Sequence, residues 1–177
     1  MMTNYSFRKD LDRSKATTEL AKYILENNED TWFDRQSKEE GWFVNDVNDR
    51  TCDLHLLTAP GGRDILVEIK EDFYCQKSGN VAVEYECRGK FSGILTTEAD
   101  FWLYRIHVPP DGESLWVITP TNKIKEAIDK KLWTRHVTGG DYKSNTKMYL
   151  FPLAVFQSLG FELKDKSETP KVHKEKH

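Results

Sequence analysis

Three residues on two neighbouring β-like segments have the types and spacing for metal-dependent chemistry. Fourteen residues separate Asp53 from the triplet Glu68-Ile69-Lys70, which ends an otherwise apolar run. A charged pair inside such a run is costly unless it is paired or bound to a metal ion. Hard cations such as Mg²⁺ take oxygen ligands and retain several waters. We therefore expect Asp53 and Glu68 to hold Mg²⁺, or Mn²⁺ in its place, with the backbone carbonyl of Ile69 as a third ligand.

The lysine beside these carboxylates extends the chemistry to phosphate esters. A bound divalent cation polarises a phosphoryl oxygen and activates water. Lys70 would orient this water or help to deprotonate it, and would stabilise the charge on the phosphate. The cation would also offset the acidic charge that otherwise repels nucleic acid.

A β-hairpin is the element that must bring these residues together. Residues 51–58 and 64–70 are strand-like, and Pro60-Gly61-Gly62 between them is a strong turn signal. Within the first segment Asp53 and His55 share a face, as Glu68 and Lys70 do in the second. Antiparallel pairing would therefore place Asp53 beside Glu68 and Lys70.

A helix is predicted ahead of this hairpin, over residues 15–28 with Ser14 as its N-cap. Glu19 lies at the border of its apolar stripe, about 60° from the centre, and could approach the same carboxylates. Further strands are predicted at residues 31–36, 42–47, 81–87, 101–108, 114–119 and 147–151, and further helices starting near Thr96, over 121–131 and over 152–159. This order predicts an α/β or α+β fold in which helices flank a mixed sheet.

Together these residues resemble the core of the PD-(D/E)xK nuclease superfamily, the restriction-endonuclease-like enzymes that include Holliday junction resolvases and phage endonucleases. The resemblance covers roughly residues 14–108. Segments 79–86 (GNVAVEYE) and 89–102 (GKFSGILTTEADFW) also look like phage and bacterial members. One departure is that Cys52, not proline, precedes Asp53.

The resemblance implies a helix–strand–strand–strand–helix–strand core and Mg²⁺-dependent hydrolysis of phosphodiester bonds, with Mn²⁺ as a substitute. It implies that Asp53 and Glu68 bind the metal, that Lys70 assists the water, and that Glu19 is an accessory ligand or base. We expect an endonuclease that acts on DNA in phage or bacterial DNA processing, recombination or repair. Such enzymes often cut both strands as homodimers.

Several other residues have weaker claims to a role. His55 could contact phosphate or a metal-bound water, although a single histidine on a half-buried strand is more often structural. Arg88, Lys90, Thr96 and Thr97 are candidates for nucleic-acid binding, with helix capping as the simpler explanation for the threonines. Glu84 or Glu86 could complete a metal site, or either could be solvated or paired with lysine. The polar, somewhat basic run 135–147 is predicted to be a solvated loop.

Length and composition favour one domain over residues 1–163, followed by a disordered, lysine-rich tail over 164–177. The 177 residues carry a formal charge of −3, so the chain is not a strongly basic nucleic-acid binder. No apolar run approaches a membrane span or a secretory signal. Three widely spaced cysteines fit reduced thiols. We expect a protein of the bacterial or phage-infected cytosol, with no membrane partner.

Two other functions remain open from the sequence. A catalytically silent module with the nuclease fold could bind nucleic acid or a protein partner, although the complete Asp, Glu and Lys set argues against a decayed site. Alternatively, the acidic hairpin face could be a docking surface. A second match to the motif, at Glu162-Leu163-Lys164, lacks strand-forming residues on both sides and is set aside.

Overall fold

The chain forms a mixed α+β structure, described here from a computed structural model over residues 4–32, 38–44, 52–58, 63–140 and 144–166. Within these residues there are four α-helices and two β-sheets. The helices are α1 (Asn4–Trp32), α2 (Cys75–Ser78), α3 (Thr121–Asp129) and α4 (Leu153–Ser158). The strands are β1 (Lys38–Val44), β2 (Leu54–Thr58), β3 (Ile65–Asp72), β4 (Asn80–Cys87), β5 (Lys90–Phe91), β6 (Phe101–Val108), β7 (Glu113–Pro120), β8 (Arg135–Gly139), β9 (Thr146–Pro152) and β10 (Phe161–Leu163).

The first sheet has six strands in the order β1-β2-β3-β6-β7-β10. β1, β2 and β3 are antiparallel neighbours, and so are β6, β7 and β10. The two halves join where β3 and β6 run parallel. Leu54 pairs with Val67 and Leu56 with Ile65, so the predicted antiparallel hairpin is confirmed. Its predicted turn, Pro60-Gly61-Gly62, lies outside the described residues.

Helix α1 covers one face of this sheet. Its buried Ala21, Ile24 and Leu25 pack in one apolar cluster with residues from five strands of the sheet. These partners are Leu54, Leu56, Val67, Leu103, Trp116, Ile118 and Leu163. The helix begins at Asn4 rather than after Ser14, because no glycine or proline interrupts residues 4–14. It also includes residues 31 and 32, where a strand was predicted, while 33–36 lie outside the described residues.

The second sheet, in the order β5-β4-β9-β8, packs on the opposite face of the first. The packing buries Trp102 and Tyr104 of β6 with Val81 and Val83 of β4 and Phe151 of β9. The run 135–147 is therefore not a loop throughout, because Arg135–Gly139 forms β8 against β9. Arg135 and His136 are exposed, which explains why the strand has no apolar signature.

The helix predicted to start near Thr96 does not form. A 3-10 turn at Gly93–Leu95 buries Ile94, and the chain then runs directly into β6. The Thr97 hydroxyl accepts a hydrogen bond from the Ala99 amide at 3.1 Å, a local turn that competes with helix formation. Thr97 therefore stabilises a local turn, and the expectation that the two threonines cap a helix is wrong because no helix follows them.

Lys164 and Lys166, at the start of the predicted tail, bond to α1. The Lys164 amide donates to the Asn28 side chain at 3.1 Å, and Lys166 Nζ donates to the Asn27 carbonyl at 2.7 Å. Residues 167–177 lie outside the described residues. Among the helices described, none is long and apolar enough to cross a membrane.

Replacing Gly93 by alanine is predicted to destabilise the fold by about 2–4 kcal/mol. Gly93 has φ +51°, and an added Cβ would lie 2.3 Å from the Glu84 carbonyl oxygen. Gly89→Ala is the matched control, since Gly89 has φ +74° but no atom within 4 Å of an added Cβ. Urea unfolding should show the larger loss for Gly93→Ala, and equal losses would refute the close-approach explanation.

Candidate active site

Asp53 immediately precedes the first residue of β2, and its side chain continues the pairing with β3. Its backbone amide donates to the Val67 carbonyl at 3.1 Å. The next inward-facing amide of β3, that of Ile69, donates to Asp53 Oδ2 at 2.7 Å. The carboxylate is thus fixed at the strand edge by a charge-assisted hydrogen bond. The Ile69 carbonyl points to the same side of β3 as the Ile69 amide, because the N–H and C=O of an extended residue point to one side.

Glu68 and Lys70 share the face of β3 that looks toward the second sheet. Lys70 Nζ lies 2.7 Å from Glu68 Oε1 and 5.3 Å from the centre of the buried Trp102 ring. Residues two apart on a strand project to the same face, so β3 itself creates this ion pair. Asp53 interacts electrostatically with both Glu68 and Lys70, and the joint role of the three residues in one site stays a prediction.

The carboxylates crowd each other. Burial raises the pKa of Asp53, and the nearby Glu68 charge raises it further, while the Ile69 amide and Lys70 act in the opposite direction. Repulsion of this kind is relieved either by protonation of one carboxyl group or by a bound cation. A cation at this edge would relieve the repulsion between Asp53 and Glu68.

Lys70 is held as an ammonium ion. Burial acts to lower its pKa, but Glu68, Asp53 and Glu84 together raise the pKa above its usual value. An ammonium cannot accept a proton from water, and it can stabilise negative charge on a phosphate. Paired with Glu68, Lys70 can stabilise negative charge on a phosphate or orient a water, and its part in deprotonating that water stays a prediction.

The donor set fits Mg²⁺ without a third acidic ligand. Among the described residues, no group of three or more His, Cys, Asp or Glu side chains is close enough to hold a metal ion. Mg²⁺ commonly takes only one or two carboxylates and completes its shell with water. Asp53, Glu68 and the Ile69 carbonyl meet that requirement.

The residues of α1 that face this site carry hydroxyl groups and a guanidinium, and Glu19 is not among them. Glu19 is exposed, and it does not line the cavity of about 260 Å³ between α1 and β3, termed here the helix-side cavity. The residues lining this cavity are Arg13, Ser14, Thr17, Thr18, Asp53, Ile69, Glu71 and Phe73. The accessory role of Glu19 stays a prediction without a contact to support it.

Glu71 anchors a polar network that sequence reasoning missed. Its carboxylate accepts a hydrogen bond from Thr17 Oγ1 at 2.8 Å and lies 2.9 Å from His107 Nε2 and 3.4 Å from Arg105 Nη1. His107 Nδ1 lies 3.1 Å from the Gly112 carbonyl, which can only accept, so Nδ1 donates. The alternation of β3 indicates that Glu71 shares a face with Ile69, but nothing local indicates its distant partners.

Glu84 and Glu86 have different surroundings. Glu84 and Lys70 line one cavity of about 250 Å³ between the sheets, and Ser92 Oγ donates to Glu84 Oε1 at 2.7 Å. Glu86 pairs with Lys147 at 2.7 Å. The register of β4 against β9 shifts between Glu84 and Glu86, and such a bulge changes the direction of neighbouring side chains. The two glutamates therefore contact different partners. Of the two alternatives, Glu84 is the carboxylate near Lys70.

The remaining candidates lie away from both cavities. His55 is half-buried on β2 opposite Leu66. Arg88 is exposed in the turn after β4, and Lys90 is exposed on β5. Thr96 is exposed at the end of the 3-10 turn. Their proposed contacts with nucleic acid stay predictions.

Cysteine reactivity is predicted to differ sharply between Cys75 and Cys87. Burial, with the nearby Asp72 charge, raises the pKa of Cys75 to about 11, while Cys87 is partly exposed. The reactive thiolate of Cys75 is then scarce at pH 8. Iodoacetamide at pH 8 followed by peptide mass spectrometry should label Cys87 first. Labelling of Cys75 at an equal rate in folded protein would contradict this.

Comparisons of the chain with protein-family models, with curated proteins and with solved structures find no match. Support for a function comes from the residues described above and their geometry. The carboxylate pair at the β2–β3 edge, the ammonium beside it and the cavity under α1 are the features that any function must explain.

Proposed function

We propose that this protein is a Mg²⁺-dependent nuclease of the PD-(D/E)xK type, most simply a DNA endonuclease. The observation that carries the proposal is the Lys70–Glu68 ion pair at 2.7 Å together with Asp53, whose carboxylate is fixed by the Ile69 amide at 2.7 Å and interacts electrostatically with both residues. An acidic pair with an adjacent ammonium suits phosphodiester hydrolysis.

The order of elements around the site supports the proposal. A helix, three antiparallel strands and a fourth strand parallel to the third follow the order that the resemblance implies. One difference concerns the connection from β3 to β6. It contains only the short helix α2 and two strands of the second sheet, where the resemblance implies a full helix.

Each site residue has a defined task in this reaction. Mg²⁺, when bound, supplies polarisation of the phosphoryl oxygen and activation of water. Asp53 and Glu68 provide the negative charge that holds the cation, and the Ile69 amide keeps Asp53 in one orientation. The Lys70 ammonium stabilises negative charge that develops on the phosphate, from a position fixed by Glu68.

The biological setting is proposed on the same basis. The proposed nuclease would act in DNA processing, recombination or repair in a phage or bacterial cytosol. A homodimer would allow both strands of a duplex or junction to be cut.

A substrate panel tests the proposal. Labelled linear duplex, four-way junction, flap, single strand and RNA are incubated with the protein in Mg²⁺, in Mn²⁺ and in EDTA. We expect cutting of at least one DNA substrate with either metal and none in EDTA. Cutting in EDTA, or no cutting of any substrate, would overturn the proposal.

The same panel distinguishes a nuclease from a catalytically silent module. The ion pair between Lys70 and Glu68 occupies one carboxylate oxygen, as a purely structural pair would. A silent module would bind labelled nucleic acid or a protein partner while leaving every substrate uncut in both metals. An interaction protein without the nuclease role would neither bind Mn²⁺ nor retain DNA.

A further inference from the structure

Arg13 is held in a fixed place at the wall of the helix-side cavity. Its guanidinium carbon lies 3.8 Å from the centre of the Phe73 ring. On its other side Phe73 stacks against His107, with ring centres 4.3 Å apart and an angle of 16°. His107 is fixed in turn by Glu71 and the Gly112 carbonyl. Arg13 is therefore supported by a chain of ordered groups that reaches from α1 to β6.

Arg13 lines the helix-side cavity, unlike the other basic side chains of this network. Among the residues that line the cavity in the described structure, Arg13 is the one cation. Arg105 instead pairs with Glu71 at 3.4 Å, and His107 Nε2 lies 2.9 Å from the same carboxylate. A guanidinium stacked on an aromatic face keeps its N–H donors in the plane of the group, directed away from the ring. These donors suit a planar or tetrahedral oxyanion.

The residues that line the cavity together with Arg13 indicate which kind of anion would bind there. Asp53 and Ile69, two of the groups assigned to the cation, line the same cavity as Arg13. An anion in this cavity would then touch both the bound cation and the guanidinium. A phosphate group meets this requirement, since its several oxygens can bind a metal ion and an arginine at once.

We infer that Arg13, positioned by Phe73, binds a phosphate of the nucleic-acid substrate beside the Asp53–Glu68 site. The inference rests on the proposed function and adds a residue that the sequence did not single out. Helix α1 then contributes a phosphate-binding cation, a role separate from the acidic role predicted for Glu19. Phe73 is a positioning residue, because it acts through Arg13.

Lys15 provides a matched control on the same helix. It is also an exposed cation, but two residues along a helix correspond to about 200° of rotation, which places it on another face. Binding of a labelled DNA single strand and duplex is measured by fluorescence anisotropy in EDTA, where cutting plays no part. Arg13→Ala should weaken binding by about tenfold or more. It should also reduce the salt slope by about 0.7–0.9.

The other variants define what would overturn the inference. Lys15→Ala should change affinity by less than about threefold. Phe73→Leu should weaken it by about threefold through loss of the aromatic support. Equal losses for Arg13→Ala and Lys15→Ala would show that only general charge matters, and would overturn the inference.

Inorganic phosphate separates this inference from the nuclease proposal. The Nε–Hε signal of Arg13, identified by its absence in Arg13→Lys, is followed by NMR as phosphate replaces chloride at constant ionic strength. If phosphate moves this signal but no oligonucleotide binds, the site takes free phosphate and the nuclease proposal fails. If the signal stays fixed and Arg13→Ala binds DNA normally, the inference fails while cleavage through Asp53 can still stand.

Discussion

Replacing Asp53 by asparagine should lower the rate of metal-dependent cleavage by at least about a thousandfold. The amide carries no charge to hold a divalent cation, although its oxygen can still accept the Ile69 hydrogen bond, now 2.7 Å long. The fold should therefore survive the change. The loss would reflect chemistry rather than unfolding.

Asp64→Asn is the control for this prediction. Asp64 is half-buried just before β3 and lines neither cavity. Initial cleavage rates are measured for both variants on the best substrate of the panel, with circular dichroism to confirm folding. Asp64→Asn should stay within about threefold of the wild-type rate. A folded Asp53→Asn variant with near wild-type activity would remove Asp53 from the mechanism.

Replacing Asp72 by alanine should destabilise the protein by about 3–5 kcal/mol, the largest loss expected from any single polar residue described here. Asp72 is 7% exposed at the end of β3. One carboxylate oxygen accepts the amides of Tyr74 and Cys75, each at 2.9 Å, and the other accepts the Ala82 amide at 2.9 Å. This side chain ties β3 to α2 and to β4 of the second sheet. Alanine would leave three backbone donors without that acceptor.

Urea unfolding followed by tryptophan fluorescence measures this effect. Asp72→Asn should lose less than Asp72→Ala, because one amide oxygen remains as an acceptor. Asp129→Ala, at the exposed end of α3, should change the free energy of unfolding by less than about 0.5 kcal/mol. A loss below about 1 kcal/mol for Asp72→Ala would mean that the two sheets hold together without this link.

The part of the site that could be predicted from sequence depends on local rules. Alternation along β3 fixes Glu68 and Lys70 on one face, and the turn-forming residues after β2 indicate antiparallel pairing. The register of Leu54 against Val67 then brings Asp53 to the edge beside Ile69. Glu68 and Lys70 are close in sequence, and the apolar pattern of β2 and β3 specifies the register in which these strands pair.

The parts that could not be predicted depend on distant partners. The contact of Thr17 with Glu71 spans 54 positions and depends on the rotation and entry angle of α1. An amphipathic stripe defines the buried face of a helix only broadly. The sequence alone therefore could not show whether Glu19 or Thr17 faces the site. Strand β8 lacks alternation because it is an exposed edge strand, so its assignment required β9 as a partner.

Calorimetric titration with Mn²⁺ tests most directly whether Asp53 and Glu68 form a cation site, because it requires no knowledge of the substrate. The wild-type protein and Asp64→Asn should each bind Mn²⁺ at a common site. Asp53→Asn should lose that binding or weaken it by at least about tenfold. Binding that is absent from the wild-type protein, or unchanged in folded Asp53→Asn, would contradict the assignment of this edge as a metal-dependent active site.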